Sequence, residues 1–202
     1  IKRYFVFLET KVSNLKRVYK MSEHYYSKQP HSPLKMTKIH STLREQTFTF
    51  LTASGVFSKR DVDFGSQLLI EAFIEPEVEG KILDLGCGYG PIGIALARSL
   101  EHRSILMVDV NERAVDLTKQ NILDNGVSNA QAFVSEGFAK IDEKEFAAIV
   151  TNPPIRAGKK VVYPLIEESY ARLCELGELW VVIQKKQGAP SFKRFLETLF
   201  AE

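Results

Sequence analysis

Long apolar runs are missing from this 202-residue chain. None approaches the roughly 18–20 residues that cross a bilayer as a helix, so neither a transmembrane helix nor a membrane partner is expected. The opening IKRYFVFLET has a basic start and an apolar patch too short for a signal-peptide core, and no small-residue cleavage site follows it; the expected location is cytoplasmic. Cysteine is scarce. Cys87 and Cys174 cannot make a disulfide framework and lack metal-type spacing, so both read as buried free thiols in a reducing compartment. Histidine is almost as rare: three of the four (His24, His31, His40) fall early in the chain at spacings that form no helical metal pair, and no metal is expected. No internal repeat is visible.

Charge is plentiful but unevenly spread. Residues 1–60 carry twelve Lys/Arg against three Asp/Glu, a net +9, while residues 61–202 carry fifteen against twenty-two, a net −7. A basic arm on an acidic body is an electrostatic footprint for nucleic acid, and equally that of a solvated flexible arm. The organisation read from this is a basic N-terminal arm over 1–44, its stretch 21–40 loose, followed by a domain over 45–202.

From residue 81 onward strand and helix patterns alternate. Strands are expected at 81–85, 104–110, 130–134, 146–151 and 178–184, with helices at 91–100, 111–125, 161–176 and 190–200. Asn111 can cap the second of these helices and Asn125-Gly126 end it. Upstream, TFTFLT (47–52) alternates with period two, 57–63 reads as a linker, and 66–73 as a helix capped by Ser66. The alternation predicts an α/β fold: a doubly wound, mostly parallel, Rossmann-like sheet with helices on both faces, plus the N-terminal extension.

The turn after the strand at 81–85 reads Asp84-Leu85-Gly86-Cys87-Gly88-Tyr89-Gly90. Read from Gly88 to Gly93, the chain also holds a G-x-G-x-x-G string, a weak signal by itself. A carboxylate beside a dinucleotide turn repels phosphate; Asp84 suits a ligand bearing an ammonium group instead. The stretch resembles the D-x-G-x-G-x-G turn of the class I S-adenosylmethionine-dependent methyltransferases. That resemblance implies S-adenosylmethionine as cofactor, held by Asp84, Gly86, Cys87, Gly88 and Gly90. It further implies the ribose on Asp109, which closes the second strand 25 residues on, with Val110 and Asn111 beside it. Glu136 and Gly137, after the third strand, match in type the place where the family contacts the adenine.

A second motif, Thr151-Asn152-Pro153-Pro154-Ile155-Arg156-Ala157-Gly158, ends the apolar strand at 146–151. Two prolines cannot donate to a sheet, so the strand must stop there, and the first proline keeps Asn152 out of the helical region. The Asn152 side-chain oxygen and the Pro153 carbonyl can accept both hydrogens of an exocyclic amine, aiming its lone pair at an activated methyl group. Asn152, Pro153 and Pro154 are therefore the candidate catalytic residues. N-P-P followed by a large residue resembles the fourth motif of amino-methylating enzymes acting on adenine, guanine N2 or glutamine amides. Ile155 stands where an aromatic residue usually stacks on the target. N-P-P-I-R-A-G, together with Gly55-Val56-Phe57-Ser58 and Asp63-Phe64-Gly65-Ser66, resembles the small-subunit ribosomal RNA guanine-N2 methyltransferase family over residues 45–200. The implied partner is ribosomal RNA or the small subunit, with Ile155, Arg156, Lys159 and Phe57 on the substrate side and Lys160 and Lys185-Lys186-Gln187-Gly188 as further phosphate contacts. A glutamine-amide protein methyltransferase, and a non-catalytic module that binds the cofactor and RNA or protein, remain the alternatives.

The resemblance implies seven strands, of which five are found before Glu202. Lys2–Leu8 looks like the aromatic strand that closes the family's sheet. Tyr4–Leu8 is expected to pair antiparallel with Leu179–Gln184, unless 1–20 is a leader before a start at Met21.

Overall fold

The computed structural model describes residues 2–9, 36–54, 56, 61–184 and 189–201. Phe57 and the Lys185–Gly188 loop lie outside the described residues. The strands are β1 (Arg3–Glu9), β2 (Met36–Leu43), β3 (Gln46–Ala53), β4 (Ile82–Leu85), β5 (Ile105–Asp109), β6 (Ala130–Val134), β7 (Phe146–Thr151) and β8 (Leu173–Gln184). The helices are α1 (Phe64–Ala72), α2 (Pro91–Ser99), α3 (Glu112–Asp124), α4 (Lys159–Arg172) and α5 (Ala189–Leu199).

Six strands form one sheet in the order β1-β8-β7-β4-β5-β6, and every pairing in it is parallel. Alternate residues along the strands feed two cores. Ile82, Met107, Val150 and Trp180 join side chains of α1, α2 and α3 on one face. Leu83, Val108, Ile149 and Val181 join those of α4 and α5 on the other. Both faces are covered, as a parallel sheet requires, and the doubly wound expectation holds. The reversal of strand order falls between β4 and β7, so the crevice outside their carboxyl ends is where such a sheet receives a ligand.

Five expectations need correction. Residues 36–40 belong to strand β2, which pairs antiparallel with β3. The two-residue turn between them is Arg44-Glu45, both at positive φ (48° and 63°), where Asn-Gly would have been the readable signal. Side chains around it hold this strained turn: Glu71 Oε1 accepts from the Arg44 amide (2.6 Å), and the Arg44 guanidinium donates to the Phe73 carbonyl (3.2 Å). Helix α1 begins at Phe64 and is capped by Asp63, not Ser66, with the carboxylate accepting from the Ser66 N–H at 3.1 Å. Helix α4 stops at Arg172 rather than 176, because Leu173 opens β8 opposite Phe146 and an irregularity carries the register to Glu178. The stride Leu173–Leu176 imitates a helical face, and Gly177 allows the close approach: a Cβ there would lie 2.8 Å from the Phe146 carbonyl oxygen.

The fourth correction is direction. β1 does pair with Leu179–Gln184, but parallel, with Phe5 opposite Trp180 and stacked on it at 4.1 Å. The parallel direction gives the two leading basic residues partners. Lys2 donates to the Tyr170 carbonyl (2.6 Å), and the Arg3 guanidinium lies 4.0 Å from Glu178 at the start of the paired stretch. The reverse direction would bring Lys2 and Arg3 to the end of β8, next in sequence to Lys185 and Lys186. The fifth correction is the strand count: β1 brings the main sheet to six, rather than five.

The β2–β3 hairpin shares no backbone ladder with the main sheet. Asn121 of α3 and Asn125, which caps its C-terminus, bridge it instead. Asn121 accepts from the Leu51 N–H (2.7 Å) and donates to the Leu51 carbonyl (3.0 Å). Asn125 does the same with Thr49, at 3.1 and 2.8 Å. Each amide acts as a one-residue strand, satisfying backbone groups that an open edge would leave bare.

Candidate active site

The glycine turn leaves β4 and is tied to the next strand, with the Gly86 and Cys87 amides both donating to the Val108 carbonyl at 2.9 Å. Gly86, Gly88 and Gly90 all have positive φ (78°, 59° and 94°), which explains glycine at these alternate positions. Their surroundings differ. A Cβ on Gly86 or Gly88 would meet nothing within 4 Å, while one on Gly90 would lie 2.9 Å from Ile94 and Thr118. The first two open onto a cavity; the third is packed at the start of α2, where Pro91 occupies the first turn.

Asp84 lies beneath this turn, fully buried, and does not line the cavity itself. One oxygen accepts from the Gly93 N–H at 2.8 Å, and Oδ1 has no hydrogen-bond partner among the described residues. Burial pushes its carboxyl up to about 7; the Asp109 charge adds to this and the Gly93 bond opposes it. Asp109 binds the glycine turn back to its own strand, accepting from the Gly88 N–H and from the Asn111 N–H, each at 2.9 Å. Burial raises its pKa too, against these backbone bonds. Burial also pushes up the Cys87 thiol, the largest cause, so this cysteine is an inert wall of the site. Asn111 caps α3 as expected, accepting from the Ala114 N–H (3.2 Å).

The Asn-Pro-Pro segment sits beside the glycine turn because Thr151 donates to the Leu85 carbonyl at 2.8 Å, joining the ends of β7 and β4. The second proline has a definite job. Pro154, at φ −73° and ψ 69°, is the centre of an inverse γ-turn in which Ile155 N–H donates to the Pro153 carbonyl at 2.8 Å. That carbonyl keeps its second lone pair for another donor. The chain continues through a single 3₁₀ turn, Ile155–Ala157, to Gly158 at φ 87° and into α4. Asn152 donates its side-chain N–H groups to Asp63 Oδ1 (3.0 Å) and Ser66 Oγ (3.2 Å).

One cavity of about 970 Å³ joins these pieces. Its walls include the expected Gly86, Cys87, Gly88, Asp109, Val110, Asn111, Glu136 and Gly137 together with Asn152, Pro153 and Pro154. Gly90 and Lys159 lie off it. Ile155 turns away to pack on the core beneath α4, and the Lys159 ammonium sits 5.6 Å from the centre of the Tyr163 ring. Sequence reading missed Thr118, which donates to the Gly88 carbonyl at 2.8 Å, and Thr151. Thr118 and Asn121 are polar residues on the buried stride of α3 with Ala114 and Leu117, and that anomaly was the available signal.

The methyltransferase small domain model matches residues 47–202. The chain belongs to the methyltransferase small domain family. These are S-adenosylmethionine-dependent methyltransferases, and the site fits that cofactor: two glycines with room where a Cβ would stand, and an acidic floor in which Asp84 Oδ1 has no hydrogen-bond partner among the described residues. This methyltransferase small domain is 56% identical over 183 residues to the uncharacterized protein YbxB of Bacillus subtilis, covering 90% of this chain and 91% of that one. It is 33% identical over 160 residues to the ribosomal RNA small subunit methyltransferase C of Haemophilus influenzae, covering 76% of this chain and 47% of that protein. A solved structure of the T. thermophilus 16S rRNA guanine-N2 methyltransferase RsmC, in complex with AdoMet and guanosine, matches at a TM-score of 0.62 and 30% identity. The match covers 71% of this chain and 40% of that one, so the domain spans less than half of each of these two methyltransferases.

Proposed function

We propose that this chain methylates an exocyclic amine in ribosomal RNA, the N2 of a guanine, using S-adenosylmethionine. The observation that carries the reading is the single cavity that sets Asn152-Pro153-Pro154 against the glycine turn. The likeness to an RNA guanine-N2 methyltransferase solved with AdoMet and guanosine supports the choice of amine.

When bound, the cofactor supplies a methyl group on a positively charged sulfonium. Gly86 and Gly88 offer backbone at close approach, Asp109 acceptors for the ribose hydroxyls, and Glu136 with Gly137 the far wall. Asp84 contributes negative charge from below. A base amine has its lone pair delocalised into the ring. The Asn152 Oδ1 and the Pro153 carbonyl would accept its two N–H groups and turn its lone pair toward the glycine-turn side of the cavity; gaining the methyl as its bond to sulfur breaks, which would leave a neutral thioether, the amine would lose one hydrogen as a proton. Positioning therefore does the catalytic work. Guanine N2 faces the minor groove of a duplex, so the target base is unpaired or flipped out. The basic segment over 1–44, with Arg156, Lys159 and Lys160, supplies phosphate contacts to an RNA or ribosomal small-subunit partner. Such a substrate places the enzyme in the cytoplasm.

The test is transfer of labelled methyl from S-adenosylmethionine to ribosomal RNA, to assembled small subunits and to cellular protein in parallel. Label in RNA supports the proposal. Label in protein alone favours glutamine-amide methylation, and cofactor binding without label in any fraction favours a non-catalytic module.

A further inference from the structure

Asn152 is not held by its own strand alone. Its amide nitrogen faces Asp63 Oδ1 at 3.0 Å and Ser66 Oγ at 3.2 Å, two residues 86 to 89 positions earlier in the chain. Asp63 caps α1, and the same Oδ1 accepts from the Ser66 backbone N–H at 3.1 Å. Burial raises the Asp63 pKa, against the hydrogen bonds it receives from Ser66 and Asn152. Asp63 and Ser66 also line the cavity, and Gly65 is fitted between them: a Cβ there would lie 3.2 Å from Asp63 Oδ1 and 3.5 Å from the Asn152 nitrogen.

We infer that Asp63 and Ser66 are positioning residues for Asn152, fixing which end of its amide the cavity receives. An asparagine amide is nearly symmetric in shape, and its two orientations present either an oxygen or an NH2 group to a substrate. The chemistry proposed above works with only one of them. The bonds that Asp63 accepts from the Ser66 N–H and from Asn152 favour its ionised form; a carboxylate accepts and does not donate, so the atom facing it is the nitrogen. The Ser66 hydroxyl oxygen accepts the second amide hydrogen. Both hydrogens of Asn152 are then used, and Oδ1 is the end left for the cavity. A flipped amide would set oxygen against carboxylate and point two N–H groups at the two N–H groups of the target amine. The start of α1 thus completes the site that β7 opens.

This inference rests on the methyl-transfer reading, and its test separates the two. Ser66→Ala removes one acceptor but leaves the cap, which uses the Ser66 backbone. Asp63→Ser keeps a helix-capping residue but replaces the acceptor-only group with a hydroxyl that can donate. Asp63→Asn keeps an oxygen acceptor and is the conservative variant. The Asn152 side-chain NH2 pair, assigned by its loss in Asn152→Ala, is followed by ¹⁵N NMR. Single-turnover methyl transfer to small-subunit ribosomal RNA and affinity for S-adenosylmethionine are measured beside it. The expected result is a displaced Asn152 NH2 pair in Ser66→Ala and Asp63→Ser, with turnover down about tenfold or more and cofactor affinity held within about twofold. Asp63→Asn should lose less than Asp63→Ser. Unmoved amide resonances, or a rate loss matched by lost cofactor affinity, overturn the inference. If the unmodified chain labels no RNA, the substrate reading fails, while the NMR arm still decides the role of Asp63 and Ser66.

Discussion

Strand β5 has a charged group at each end, Arg103 buried and Asp109 half-buried, and the two are treated in opposite ways. Just before its start, Arg103 is 5% exposed and makes four hydrogen bonds: Nε donates to Glu75 (2.6 Å), NH1 to the carbonyls of Val78 (2.8 Å) and Gly80 (3.2 Å), and NH2 to that of Pro76 (2.9 Å). Glu75 is held below the usual carboxylate range, chiefly by that hydrogen bond from Arg103. At the far end, Asp109 and its neighbour Asp84 are raised by burial, with no cation beside them among the described residues and one Asp84 oxygen without a partner. The first cluster closes the loop 75–80 against the sheet and leaves nothing to add. The second leaves negative charge unmatched, as expected for a site whose counter-charge arrives with a cationic ligand.

Four changes would break or sharpen that contrast. The largest effect belongs to Asn152→Ala at the open end: methyl transfer should fall by about 10²–10³, on the scale of losing one polar group that contacts the reacting centre, while S-adenosylmethionine binding persists. Equilibrium dialysis beside single-turnover assays checks it; retained turnover would refute the assigned role. Next, Arg103→Met at the closed end strands several carbonyls and should lower stability by about 3–5 kcal/mol, read by urea denaturation, with cofactor affinity per folded molecule unaltered.

The third change is pH. The folded pKa of Asp84, about 7, lies above the ordinary aspartate value of 3.8. Between these values the native state holds the proton more tightly than the unfolded state, so Asp84's contribution to stability is full below about 4 and is lost as pH rises through about 7. The contribution is on the order of 4 kcal/mol at most. Melting temperatures between pH 5 and 8 should fall with rising pH, and Asp84→Asn should flatten the slope. A cationic ligand favours the ionised carboxyl, so cofactor binding near pH 7 should release protons, seen calorimetrically as a binding enthalpy that depends on the buffer. The smallest effect separates the glycines. Gly93→Ala would set a Cβ 2.6–2.8 Å from Met107 and should reduce stability, whereas Gly88→Ala meets open space and should weaken cofactor affinity about tenfold with a smaller loss of stability, about 1–2 kcal/mol for its positive φ.

The two ends also differed in how far the sequence disclosed them. The glycine turn, Asp109 and Asn-Pro-Pro were legible because each is a local string whose residue types serve few purposes. So were β4 to β7, whose apolar runs end at turn residues. Arg103 was not legible, since its partners are backbone carbonyls at 76, 78 and 80 that carry no residue signature. The Asn121 and Asn125 bridges to β3 and the Asp63–Asn152 contact were hidden for a related reason: they are long-range pairings of common residues. The Arg44-Glu45 turn went unseen because tertiary contacts stabilise it in place of a turn propensity. Ile155, expected beside the substrate, was misplaced because a γ-turn at Pro154 redirects the chain toward the core beneath α4.

The most direct test of the account is to identify the nucleoside made. Small subunits incubated with the chain and labelled S-adenosylmethionine are digested, and the labelled nucleoside is resolved by liquid chromatography and mass spectrometry, with Asn152→Ala as the control. The account predicts N2-methylguanosine from the unmodified chain and none from the variant. Label on another atom or only in protein, or equal label from the variant, would contradict it.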